Sequence, residues 1–321
     1  MSRRWLRTCL LMLAVLLPAY AHAQSCSVTT ASINFGNISP VQGSNTDVTT
    51  TLTVNCNGFP LLQGSARACL NLGTGSGGTS ITPRVLSFGS NQLQYNVYTD
   101  SGRSTVWGGR TTPSTPALTV DVPLGLLGAG SATVTVYGRV TGGQTTLPAG
   151  TYTQSFSGAS ATTYSLFNPG TTTCASITTN PTTFSFSATA SLINDCIISA
   201  TNLNFGTAGL LNAAVTASSA ITLNCTNQSP WTLSLSAGGG SGATVANRLL
   251  TRTGGTQTVG YGLYTTSAFA AVWGDGTAGT STVAGIGSGA SQVSTVYGRV
   301  PVQVTPQAGV YNDTIIVTVT Y

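Results

Sequence analysis

Residues 135–140 read TVYGRV, and the same six residues return at 295–300. They are one of several paired landmarks that occur in the same order. CSVTTASINFG from Cys26 returns as CIISATNLNFG from Cys196, and TLTVNC ending at Cys56 as AITLNC ending at Cys225. YNVYTD from Tyr95 matches YGLYTT from Tyr261, VWG at 106–108 matches 272–274, and AGTYTQ from Ala149 matches AGVYND from Ala308. The offset drifts only from 170 down to 159. A solenoid repeat is far shorter, so this is tandem duplication of a whole domain. Whatever folds one half must fold the other.

The texture of both halves specifies the fold class. Thr, Ser, Gly, Asn and Val dominate, with alternation such as TLTVNC and TIIVTVTY. β-Branched residues at period two, punctuated by Gly, Pro and Asn, predict many short strands. A chain of 321 residues with this pattern predicts an all-β protein of two sandwiches rather than one large one.

The N-terminus reads as a secretory signal over residues 1–23. Arg3, Arg4 and Arg7 precede an apolar run at 10–17, and Ala21-His22-Ala23 supplies a small-x-small cleavage site. Removing it takes away the only histidine, and the chain contains no lysine or glutamate. Eight scattered arginines and six aspartates remain, which gives no clustered basic footprint for nucleic acid. Without His, Lys or Glu the usual general bases and most metal ligands are missing, and no two aspartates form a local pair. The expectation is a protein that is not an enzyme and uses no cofactor or metal.

Taken together, Cys-x8-Phe-Gly, the NC cysteine, Y-x-x-Y, VWG, VYGRV and AG-x-Y resemble the spore coat protein U domain family in both halves. That resemblance implies pilin-type, immunoglobulin-like β-sandwiches of archaic chaperone–usher pili, with a two-domain member resembling the tip adhesin. It implies a periplasmic chaperone, an outer-membrane usher and the N-terminal donor strand of an adjacent pilin subunit as partners. The repeat predicts disulfides Cys26–Cys56 and Cys196–Cys225, which leaves Cys69 and Cys174, both in the first half, for a third bridge. Six cysteines after the signal suit an oxidising compartment.

The halves differ in two informative ways. After AGTYTQ the first half continues through TFSFSATASL, where Phe184, Phe186, Ala188, Ala190 and Leu192 alternate with Ser and Thr, the pattern of a half-buried strand. The second half has no counterpart after AGVYND. The expected domains are therefore 24–193, closed by its own last strand, and 194–321, a sandwich lacking its final strand. Such a sandwich exposes an apolar groove and unpaired edges that a strand from another chain can fill. Only Gln24 and Ser25 stand between the predicted cleavage site and Cys26, too little for a strand to donate, which predicts a subunit that caps a fibre.

The first half also has two longer loops, each six residues longer than its counterpart. One carries Phe59, Pro60, Leu61 and Leu62; the other carries Pro123, Leu124, Leu126 and Leu127. Loops normally run over the surface and are polar, so these eight residues are the expected contacts to an abiotic or host surface. The function expected is attachment and biofilm formation from the tip of a pilus at the cell surface. Two other readings are a carbohydrate-binding lectin at the same tip and a secreted coat or matrix protein with two complete sandwiches. Trp107, Trp273, Tyr95, Tyr261, Tyr137 and Tyr297 recur in both halves and are expected to pack the cores; Arg139 and Arg299 are expected to have structural hydrogen-bonding roles.

Overall fold

The computed structural model describes residues 24–29 and 31–321; the signal expected at 1–23 lies outside them. The first sandwich contains β1 (Ser25–Val28), β2 (Ala31–Ile38), β3 (Thr46–Asn57), β4 (Gly64–Leu72), β5 (Arg84–Phe88) and β6 (Asn91–Tyr98). It continues with β7 (Leu118–Leu124), β8 (Gly130–Val140), β9 (Gly150–Phe156), β10 (Ala161–Phe167), β11 (Thr182–Thr183) and β12 (Phe186–Leu192). The second contains β13 (Cys196–Ala200), β14 (Val215–Cys225), β15 (Pro230–Leu235), β16 (Arg248–Arg252) and β17 (Thr258–Tyr264), followed by β18 (Val283–Ile286), β19 (Ser291–Val300), β20 (Tyr311–Asn312) and β21 (Val317–Thr320).

The sheet orders repeat as the landmarks do. The large sheet of the first sandwich runs β1-β3-β8-β6-β5-β9-β12-β2, and that of the second runs β13-β14-β19-β17-β16-β20 and stops there. The small sheets, β11-β10-β4-β7 and β18-β15-β21, also correspond, with β21 in the place of β10. The difference is β12 and what it holds. It lies between β9, antiparallel, and β2, parallel, and Phe186, Ala188, Ala190 and Leu192 are all buried while the Ser and Thr between them are half-exposed. The period-two reading of TFSFSATASL is thus a sheet-closing strand. In the second sandwich no strand stands between β20 and residues 201–210, and those residues form no strand.

The repeated hexapeptide now has a physical cause. In β8, Val136, Gly138 and Val140 face inward while Tyr137 and Arg139 face out. A Cβ on Gly138 would collide with Ile33 and Phe35 of β2, and one on Gly298 with Leu203 and Phe205. The glycine is the gap into which the SINFG and NLNFG side chains pack. The aromatic assignments divide accordingly. Trp107, Trp273, Tyr95 and Tyr261 are buried, whereas Tyr137 and Tyr297, expected in the cores, are half-exposed because strand alternation turns them outward. Arg139 donates two bonds to Asp47 at 2.7 Å each, while Arg299, whose half has Thr216 in place of Asp47, lies over the Phe269 ring at 5.5 Å.

All three disulfides are present. Cys26 faces Cys56 and Cys196 faces Cys225 directly across paired strands, with Cα separations of 4.0 and 4.1 Å. Cys69–Cys174 has Cα atoms 5.6 Å apart and ties the short turn Cys174–Ser176 to β4. Around it a small apolar cluster of Cys69, Ala117, Cys174 and Ile177 forms beneath the excursion between β10 and β11. Each bridge contributes on the order of 2–4 kcal/mol by restricting the unfolded chain.

Candidate functional site: an open groove and an apolar tip

The absent strand leaves a groove of 1030 Å³ in the second sandwich. One wall is residues 200–209, the other is 305–313, and the floor is the core itself, including Ile221, Val259, Tyr261, Leu263 and Val296. Side chains at matching positions measure the opening. Ile33, Phe35, Tyr152 and Phe156 are buried, whereas Leu203, Phe205, Tyr311 and Ile315 are only half-buried. Along 311–320 the chain alternates half-buried and exposed residues with none fully covered. The groove edge is also an unpaired backbone edge, because β20 pairs only with β16.

Two devices keep the groove shaped without its strand. In each half the tyrosine of AG-x-Y donates back to a carbonyl four residues upstream, Tyr152 to Pro148 at 2.9 Å and Tyr311 to Gln307 at 2.6 Å, pinning the loop that leads into the edge. A buried arginine then ties three segments together. Arg84 donates to the carbonyls of Gly73, Leu72 and Trp107 and to Asn96 Oδ1, at 2.6–2.8 Å. Arg248 repeats the three carbonyl bonds, to Ser236, Leu235 and Trp273. Burial pulls the Arg84 guanidinium down to about 10, with the nearby Tyr95 acting the other way. It remains charged at neutral pH. The sequence signal of this pair, absent from the landmarks above, is an arginine opening an apolar strand in both halves, PRVLSF and NRLLTR.

The floor of the groove carries one chemical change. Tyr95 donates to Gln154 in the closed sandwich, whereas Tyr261 donates to Asp313 in the open one, at 2.6 Å. Asp313 also accepts the Gly239 and Thr314 N–H groups, each at 2.7 Å, so the carboxylate is held against the groove wall. Burial, with this hydrogen bond and charge second, pushes the Tyr261 hydroxyl well above its ordinary range and keeps it a donor.

The two long loops of the first sandwich meet at one end. Phe59 N–H donates to the Gly128 carbonyl at 3.2 Å, and a Cβ on Gly128 (φ +67°) would collide with the Phe59 carbonyl oxygen. The Gly128 N–H closes a tight turn onto Gly125, which projects Leu126 and Leu127, 72% and 83% exposed. Leu61 and Leu62 stand beside them at 72% and 63%. Not all eight expected contacts are outside. Phe59 is buried against Phe167, Leu124 ends β7 and is buried, and Pro60 is half-buried. The reason is alternation: β7 runs to Leu124, so Val122 and Leu124 point inward while Pro123 points outward, tolerated because β7 is an edge strand. The exposed apolar set is Leu61, Leu62, Leu126 and Leu127, with Pro123 at its rim.

This end lies opposite the second sandwich, about 35 Å away along the eleven residues of β8. The other end of β8 leads to residues 141–148, which contact the second sandwich: Asn227 Nδ2 donates to the Thr146 carbonyl at 2.6 Å. The loops by which the second sandwich meets the first, at 226–229 and 287–289, occupy the positions that the two long apolar loops occupy in the first.

One sandwich closed by its own strand and one open sandwich, joined end to end, define a two-domain pilin-type protein. Comparison with a solved structure agrees on the fold. A chaperone–tip adhesion subunit pre-assembly complex of the archaic chaperone–usher Csu pili of Acinetobacter baumannii matches over 92% of this chain and 100% of that one, with a TM-score of 0.58 and 16% identity. The CupB6 tip adhesin of Pseudomonas aeruginosa matches over 92% and 95%, with a TM-score of 0.34 and 12% identity. No curated protein sequence matches the chain. The Spore Coat Protein U domain matches twice, over residues 12–158 and 182–318, and the chain belongs to that family.

Proposed function

We propose that this protein is the tip adhesin of an archaic chaperone–usher pilus, exported through the periplasm to the cell surface. The observation that carries the reading is the open groove of the second sandwich, at the place where the first sandwich seats β12. An extended segment there would gain ladder hydrogen bonds from the edge at Tyr311–Asn312 and bury alternate side chains on the apolar floor. A periplasmic chaperone supplies that strand first, and the N-terminal strand of an adjacent pilin replaces it at the outer-membrane usher. The shared fold with a chaperone-bound tip subunit supports the same reading. The boundary between the adhesin domain 24–193 and the acceptor domain 194–321 falls in the short link after β12. An uncovered groove counts against a free matrix protein built from two complete sandwiches.

The first sandwich faces outward in this reading. The end by which a sandwich would abut its predecessor is here enlarged and carries Leu61, Leu62, Leu126 and Leu127 in the open. These side chains attach the cell to apolar surfaces and so promote biofilm formation; the protein acts by binding. Replacing Leu61, Leu62, Leu126 and Leu127 with Ser should abolish adhesion of piliated cells to polystyrene while pili are still displayed. Undiminished adhesion would exclude the apolar tip.

A further inference from the structure

The joint between the two sandwiches is built on the strand that closes the first. β12 ends at Leu192, and the second sandwich starts at Cys196. The strand that fills the first groove is therefore also the leader of the second sandwich, and its short link forces the second body against the trailing end of the first. There the turn Pro40–Gln42 lies against β13. Asp195 accepts bonds from Ser39 at 2.5 Å and Gln42 at 3.3 Å, Asn227 pairs with residues 146–148, and Gly289 is packed against the Thr145 carbonyl.

The second sandwich has the same trailing end, uncovered and with different chemistry. Gly36 and Gly206 align, which places Pro40 at Leu210 and the buried Val41 at the buried Leu211. Val140 and Val300 align, which places the TGGQTT loop at PVQVTP. The two loops again lie side by side: Gln303 N–H donates to the Leu211 carbonyl at 3.1 Å, and Leu211 N–H donates to Thr305 Oγ1 at 2.8 Å. Where the first sandwich has Pro40, Gly142 and Gln144, the second projects Leu210, Val302 and Val304, exposed by 71%, 63% and 92%. These residues sit at the end of the groove toward which β12 runs in the first sandwich.

We infer that Leu210, Val302 and Val304 form a docking surface for the body of a further sandwich of this family, the one whose leader strand fills the groove. The inference rests on the pilus reading, which supplies that neighbour. The incoming sandwich stacks as the second stacks on the first, with the loop after its second cysteine and the loop before its VYGRV-type strand against this patch. Its leader places its last inward residue about four positions before its first cysteine, as Leu192 stands before Cys196. Because the patch is apolar, those loops carry apolar side chains in place of the Asn227 type of contact.

Photo-crosslinking of the full chain in assembled fibres tests this. Two variants, Val304→p-benzoylphenylalanine and, in the groove, Ile315→p-benzoylphenylalanine, are irradiated on the producing cell and the joined peptides mapped by mass spectrometry. Expected is one partner for both: the Ile315 probe joins the segment ahead of the partner's first cysteine, and the Val304 probe joins one of the two loops named above. A Val304 probe that joins another protein, another segment or nothing, while the Ile315 probe joins a leader strand, overturns the stacking and leaves the groove reading standing. Failure of the Ile315 probe as well removes both. As a second readout, the double variant Val302→Ser and Val304→Ser should bind a synthetic peptide of residues 182–193 with unchanged affinity but be retained on fibres several-fold less. Equal retention overturns the proposal.

Discussion

Single residues here do their work by serving two or three segments at once. Arg84 is fully buried and satisfies three carbonyls, and it shares the Asn96 amide oxygen with the Val97 N–H. Each buried polar group left unpaired costs about 1–3 kcal/mol, so Arg84→Leu should lose roughly 3 kcal/mol or more from the first unfolding transition in calorimetry. Arg248→Leu should cost less, because Arg248 makes one hydrogen bond fewer and its buried Nη1 already has no partner. Asp47 behaves differently, since it is only partly buried and its contribution depends on pH. The two bonds from Arg139 hold its carboxyl below the ordinary aspartate value, against some burial, with Arg103 assisting. A lowered folded-state pKa means the stabilisation is complete above the unfolded value near 3.8 and is lost as pH falls through the lower folded value. Asp47→Asn should therefore lower stability at pH 7, and the difference from the parent should shrink as titration proceeds below about pH 4. A constant difference down to pH 2 would mean that packing, and not charge, carries the effect.

Among the elements, β12 separates the two halves. It supplies ladder bonds to β9 and β2 and puts Phe186 onto Trp107 and Phe156, with ring centroids 5.7 and 5.8 Å apart. Truncating such a side chain costs about 3–5 kcal/mol, the lost transfer energy plus the cavity left behind. Phe186→Ala should lower the first transition by that amount and leave the second in place, read by calorimetry or urea titration. The small residues matter as well. Ala188 faces Gln154 and Ala190 faces Tyr152, so the centre of the strand tolerates no bulk, whereas Phe186 and Leu192 fill wider spaces toward its two ends. That order of sizes was legible in TFSFSATASL from alternation alone. The pairing of β12 was not. Nothing in the run specifies which two edges it joins, because any strand with one apolar face satisfies the same local pattern.

On the scale of the whole molecule, stability should be divided unequally, with the open sandwich the weaker partner. Its large sheet ends on the two-residue β20, its edge is free, and its inward side chains along 311–320 are half-buried. A ligand that fills the groove stabilises only the state that has a groove. A synthetic peptide of residues 182–193 added at a hundred times its dissociation constant should raise the second transition by about 2.7 kcal/mol and leave the first unchanged. A shift in the first transition would mean that β12 exchanges with the peptide and that the first sandwich is not permanently closed.

What the sequence determined by itself was whatever depends on repetition and period. Two copies, all-β texture, a closing strand in one copy only, and the Cys26–Cys56 and Cys196–Cys225 pairs all follow from aligned landmarks, since homologous halves must solve the same packing problem. The Gly138 and Gly298 positions were visible as conserved within the repeat, but their cause is the approach of Ile33, Phe35, Leu203 and Phe205 from a distant strand. Tertiary structure alone decided which apolar loop residues stand in solvent: Leu61, Leu62, Leu126 and Leu127 do, while Phe59 and Leu124 do not. Local composition cannot separate the two sets, because a leucine in a turn and a leucine one residue inside a strand differ only in where the ladder ends. It also decided that the two loops form one patch, and that the exposed Leu210, Val302 and Val304 stand at one end of the groove, because those juxtapositions are made by strands far apart in the chain.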